Sequence, residues 1–128
     1  MPEVIIPKGL EAVYERFHYA PAIRIGQELH ISGQVGRRPD LSVVEEPEAQ
    51  FVQAFENVKL VLDAAGADFT QVYELESWFI AMQRDLPLFM AVKDRYFVER
   101  YPTWTGFQVA DFSTPGLLVE IRCRAHLG

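Results

Sequence analysis

Leu117-Leu-Val-Glu-Ile-Arg-Cys-Arg-Ala-His126 alternates apolar Leu117, Val119, Ile121, Cys123 and Ala125 with polar Glu120, Arg122, Arg124 and His126. Period two describes a strand with one dry face and one polar face. Just before it, Tyr101-Pro-Thr-Trp-Thr-Gly-Phe-Gln-Val109 reads as a second strand. On this reading Glu120 lies on the polar face, one strand away from Trp104.

The chain has 128 residues, enough for one domain spanning 1–128 and too few for two ordinary ones. A hydrophobic content of 49%, with nine Phe, five Tyr and two Trp, indicates a packed core rather than disorder. No apolar run is long enough for a membrane span. The first residues, Met-Pro-Glu-Val-Ile-Ile-Pro-Lys, lack the features of a secretion signal, so a cytoplasmic location is expected. The single cysteine, Cys123, excludes an internal disulfide and fits a reducing compartment. A net charge of −6 argues against general nucleic-acid binding, which needs a basic footprint.

Outward from the last strand, the chain reads as strand, strand, helix, strand, helix, strand, strand. The N-terminal segment, with Val4-Ile-Ile6, predicts a short edge strand or arm. Ile23 and Ile25, then Leu29 and Ile31, predict a hairpin around Gly26-Gln27. A two-residue loop would set Ile25 opposite Glu28. A three-residue loop, Gly26 to Glu28, pairs Ile25 with Leu29, Ile23 with Ile31 and Arg24 with His30; the face pattern favours this longer loop. Glu45-Glu-Pro-Glu48 predicts a helix start, and Phe51, Phe55, Val58, Leu62 and Ala65 form its apolar stripe up to Gly66. Val72 to Ala81 predicts a strand with Tyr73, Leu75 and Phe79 on one side and Glu74, Glu76 and Trp78 on the other. Asp85-Leu-Pro87 predicts the start of a second helix, with Asp85 as its cap. Each helix lies between strands, so both can cover one face of the sheet. The other face, with Glu120 and Trp78, is too mixed to stay in water uncovered, so a symmetric oligomer is expected.

Most chemical motifs are absent. Gly33-Gln-Val-Gly36 matches no phosphate-binding pattern, and no cofactor is expected. His18, His30 and His126 are dispersed without metal-ligand spacing, so no metal is expected. Cys123 falls on the dry side of its strand, where a small buried thiol is the default. Ser32 lacks a nucleophile elbow. Glu120 is different, because a carboxylate between Val119 and Ile121 has two readings. It pairs with Arg122 or Arg24 on a solvated face, or it lies in a cleft and orients water or a substrate donor.

From about Tyr19 to His126 the chain resembles the RidA/YjgF family, also known under the name endoribonuclease L-PSP. The resemblance rests on Ile23-Arg-Ile-Gly26, Leu29-His-Ile-Ser-Gly-Gln34, Gln53-Ala-Phe-Glu-Asn-Val-Lys59, Ala64-Ala-Gly66, Asp85, Tyr101-Pro102 and Leu118-Val-Glu-Ile121. It implies a chorismate-mutase-like α+β fold and a homotrimer with a central barrel. A small-molecule pocket is implied at each subunit interface. The best-known members hydrolyse enamines and imines such as 2-aminoacrylate. Tyr19, Ser32, Gly33 and Glu120 match the family's pocket residues, with Glu120 as the catalytic position. In the stretch Pro102-Thr-Trp-Thr105, Trp104 takes the place, two residues after the proline, of the family's arginine that grips the substrate carboxylate; Thr105 lies beside it in the implied pocket, and Met90 matches a pocket asparagine.

An aromatic face, one N–H and bulk therefore replace a guanidinium fork. Three readings follow. One is an unidentified small metabolite processed by Glu120-assisted water or lyase chemistry. Another is a non-catalytic binding or regulatory trimer. The third is imine deamination with an arginine relocated from Arg24, Arg37, Arg38 or Arg122. Ribonuclease activity gets little support from an acidic chain without a histidine pair.

Overall fold

The computed structural model describes residues 2–128. In chain order it contains β1 (Glu3–Ile5), α1 (Glu11–Phe17), β2 (Ala22–Ile25), β3 (Glu28–Ile31), β4 (Gln34–Val35), α2 (Pro47–Ala64), β5 (Val72–Phe79), α3 (Met82–Lys93), β6 (Thr103–Gln108) and β7 (Val119–His126). The strands form one mixed sheet in the order β1-β2-β3-β7-β5-β6, with β4 also on β7. β5 and β6 run parallel, joined through α3, and the other pairs are antiparallel. The architecture is α+β, as the family resemblance implies.

β7 is the axis of the sheet. On one side it pairs with β5 along nearly its whole length. On the other side β3 takes Arg124, Ala125 and His126, and β4 takes Glu120 and Ile121. Between β3 and β4 the chain leaves β7 at Ser32-Gly33, and that departure opens the sheet beside Glu120. Alternation along β7 holds as expected, with Val119, Ile121, Cys123 and Ala125 all 0% exposed.

α2 and α3 cover the face these residues occupy. Pro47 opens α2 at its first positions, Glu46 accepts a capping bond from the Ala49 N–H, and Gly66 follows the helix at φ 72°. Phe51, Phe55, Val58 and Leu62 are fully buried. Phe89 of α3 is the meeting point of the core. Its ring lies 5.0 Å from Phe79, 5.6 Å from Phe55, 5.9 Å from Trp104 and 6.0 Å from Phe51. The contacts with Phe51 and Phe79 are edge-to-face, as the ring quadrupole favours, and those with Phe55 and Trp104 are tilted.

Four local expectations are corrected. The β2–β3 loop has two residues: Ile25 pairs with Glu28, Ile23 with His30 and Ala22 with Ile31. Gly26 at φ 59° takes the first central position of a tight turn, which only glycine fills without strain. The dry pair is therefore Ala22 with Ile31, and Ile25 is left 51% exposed. Tyr73 does not share the side of Leu75 and Phe79, because the register shifts between Val72 and Glu74. The bulge turns Tyr73 outward, where its hydroxyl donates to Glu28 at 2.6 Å. α3 begins at Met82, not at Asp85. Ala81 supplies no side-chain cap; the Gln108 side chain accepts the Met82 N–H at 3.0 Å instead. Asp85 is buried in the first turn beside Arg84, and Pro87 sits inside the helix. Finally, α1 follows the expected edge strand although no apolar stripe marks it; none of its residues is buried.

Phe55→Ala should lower stability by about 3–5 kcal/mol, the cost of emptying a fully buried aromatic site. Urea unfolding measures it, and a loss below about 1 kcal/mol would remove Phe55 from the core.

Candidate functional site

Glu120 points away from the helices, opposite Trp78 of β5 and Val35 of β4. Its carboxylate lies against Gly33: a Cβ there would stand 2.2 Å from Oε2 and 2.8 Å from Cδ. Glycine is required here by close approach, since this room belongs to the carboxyl group. The cleft has a volume of about 320 Å³ and is lined by Tyr19, Ser32, Gly33, Arg37, Leu117 and Glu120, among others.

Each wall is set by local bonds. Ser32 donates its N–H to the Pro21 carbonyl at 2.9 Å and its hydroxyl to the Ala20 carbonyl at 2.6 Å. These bonds hold the segment carrying Tyr19 against the strand end. Asn57 of α2 donates to the carbonyls of Val35 and Arg37, both at 3.0 Å, while its own oxygen accepts from Gln53. Gln50, fully buried, donates to the Val44 and Gly116 carbonyls and accepts from the Leu118 N–H. Two amides on one helix thus position the loops on either side of Glu120.

Burial pushes the Glu120 carboxyl above its ordinary value of 4.5, with Arg37 and then Arg122 pulling the other way. Burial also raises the Tyr19 phenol, again against Arg37 and with Glu120 adding to the rise. Arg37 therefore acts on both groups. Arg122 is itself paired with Glu76 and lies 5.7 Å from the Trp78 ring.

Tyr19, Ser32, Gly33 and Glu120 converge within one chain. Met90, Trp104 and Thr105 lie elsewhere. Trp104 is two strands from Glu120, across β5, and on the opposite face of the sheet; the expectation of a one-strand separation is corrected. The reason is register. Trp104 pairs with buried Leu75 and so points to the helices, whereas Glu120 pairs with Trp78 on the open face. The Trp104 N–H is already used, donating to the buried Ser77 hydroxyl at 2.8 Å. Met90 is exposed on α3, and Thr105 pairs with Glu76 on the open face.

The Cys123 thiol is fully buried and pushed up to about 12. Among the described residues no group of three His, Cys, Asp or Glu side chains converges as a metal site needs. No helix of the described residues is long and apolar enough to cross a membrane.

A family model described as Endoribonuclease L-PSP matches residues 10–127. The chain belongs to this family. It is 33% identical over 106 residues to the RutC family protein YjgH of Escherichia coli (strain K12), covering 82% of this chain and 81% of that protein. It is 31% identical over 116 residues to the 2-iminobutanoate/2-iminopropanoate deaminase of Homo sapiens, covering 86% and 80%. Among solved structures, protein YJGH matches with a TM-score of 0.90 at 31% identity, over 98% of this chain and 95% of that one. RidA from the Antarctic bacterium Psychrobacter sp. PAMC 21119 matches with a TM-score of 0.79 at 30% identity, over 84% and 87%.

Within this L-PSP family chain, sequence reasoning named Arg37 only as one of four arginines and gave Asn57 no role. Asn57 has a trace in the sequence: it is one of only two polar residues on the buried side of α2, Gln50 being the other. Gly33→Ala should displace Glu120 while leaving the fold intact, because the obstacle is the end of a flexible side chain. The expected loss is below about 1 kcal/mol, with a changed Glu120 titration by carboxyl NMR. Gly36→Ala should cost more, since its Cβ would meet the Gln50 backbone oxygen at 2.6 Å. An unchanged Glu120 titration in Gly33→Ala would contradict the close contact.

Proposed function

We propose that this family member binds and transforms a small metabolite in a pocket made by two copies of the chain, with Glu120 as the proton-transfer group. The cleft around Tyr19, Ser32, Gly33 and Glu120 forms one wall. Met90, Trp104 and Thr105 of the next copy form the other, in a homotrimer. The observation that carries the reading is the Glu120 carboxyl, desolvated in a cleft and aimed at open volume. A carboxyl raised from 4.5 is a better base at neutral pH than an ordinary one. It would take a proton from water as the water oxygen bonds to an electrophilic carbon, then return that proton to the leaving group.

Two features of the sheet support a partner. Val4, Ile25 and Phe107 are 47%, 51% and 44% exposed on the face the helices leave open. That face also carries the Trp78–Phe107 stack, at 6.2 Å between centroids, and the Arg122–Glu76 and Arg124–Glu74 pairs. Apolar and paired charged groups side by side suit a self-complementary interface. Sedimentation equilibrium at micromolar concentration should return three times the chain mass. A monomer would remove the shared pocket.

The substrate is not expected to be 2-aminoacrylate. Trp104 stands where the resemblance implies a carboxylate-gripping arginine, and its N–H is committed to Ser77. A carboxylate gripped from any other side presents its imine carbon to Glu120 out of position, and a misplacement of about 1 Å costs about a hundredfold in rate. Ammonia release from enzymatically generated 2-aminoacrylate should therefore run about a hundredfold below that of an arginine-bearing family member. Equal turnover would reject this account of Trp104.

A further inference from the structure

We infer that Arg37 is the anion-binding residue of the Glu120 cleft, and that the ligand is a small organic acid whose carboxylate sits on Arg37 of the same chain as Glu120. The inference rests on the pocket reading above and adds the chemical class of its ligand.

The arginines of this chain are mostly spoken for. Arg84, Arg95, Arg122 and Arg124 pair with Asp85, Glu48, Glu76 and Glu74. Arg24, Arg38 and Arg100 bond to backbone carbonyls outside the cleft. Arg37 alone among these lines the cleft with Glu120. Its side-chain hydrogen bonds go to hydroxyls, those of Thr114 and, at 3.4 Å, Ser113. A hydroxyl orients a guanidinium without cancelling its charge. Both bonds leave from Nη2, so Nε and Nη1 meet no acceptor among the described residues. That geometry leaves an edge of the fork for a carboxylate.

The group is also held in advance. Asn57 fixes the Arg37 carbonyl, and the Phe17 ring lies 5.2 Å from the guanidinium carbon. A preset fork loses less entropy on binding than a free one. The cleft, at about 320 Å³, takes a small ligand only. An anion on Arg37 lies at the Glu120 end of the pocket. The rest of the acid then extends toward the Trp104 ring and Met90 of the neighbouring copy, so it carries an apolar body.

Phenylacetate and its neutral counterpart phenylacetamide test the inference by calorimetric titration of the full-length protein. Wild type should bind phenylacetate at least tenfold more tightly than phenylacetamide. Arg37→Met should erase that preference, and Arg37→Lys should keep part of it, as expected when charge persists without the fork. Equal affinity of wild type for acid and amide, or no binding of phenylacetate, would overturn the assignment, and so would an unchanged preference in Arg37→Met. The wild-type comparison stands even if Arg37→Met unfolds. Trp104→Ala separates the two readings: unchanged phenylacetate affinity there, with the acid preference intact, upholds Arg37 and rejects the shared pocket.

Discussion

Alternation along β7 is the constraint from which the site follows. Val119, Ile121, Cys123 and Ala125 are buried beneath the helices, so Glu120, Arg122 and Arg124 must point the other way. A slip of one residue would bury three charged groups and expose the core, at a cost no domain of this size withstands. Three strands hold that register, β3 and β4 from one side and β5 from the other. The position of Glu120 is thereby as secure as the core itself.

Three acids near the centre of the open face, Glu74, Glu76 and Glu120, differ in their partners. Glu74 has Arg124 and Glu76 has Arg122. Glu120 has no guanidinium within bonding distance among the described residues, and Gly33 lets its carboxylate settle against the backbone instead. Partial burial without a partner is what raises its proton affinity. Arg37 moderates that effect from across the cleft. The site is thus an acid and a base held near each other without neutralising one another, an arrangement more suited to a ligand than to stability.

α2 joins the core to the site. Its apolar stripe anchors it, and Gln50 and Asn57 reach from it to the carbonyls of the loops around Glu120. Buried amides of this kind must have their bonds satisfied, which makes them specific: the loops can take few other positions without leaving an amide unpaired. Trp104 has a comparable role on the other side of the sheet, where Phe89 and Ser77 fix its ring.

Much of this was legible in the residues alone. Period two identified β7 and the side Glu120 occupies, and period 3.6 identified α2 and its buried phenylalanines, because each is a repeating local pattern that backbone geometry turns directly into a face. The Ser32-Gly33 and Val119-Glu-Ile121 stretches carried the family resemblance as short motifs, not as periods. The β2–β3 register, the outward turn of Tyr73 and the first residue of α3 were not legible. Each depends on one glycine conformation, one extra residue in a ladder or one distant cap, none of which alters a local pattern. The placement of Arg37 beside Glu120, and of Trp104 away from it, belonged to the tertiary structure alone. Strand order and pairing register decide which side chains share a cleft, and both are set by contacts between segments far apart in the chain.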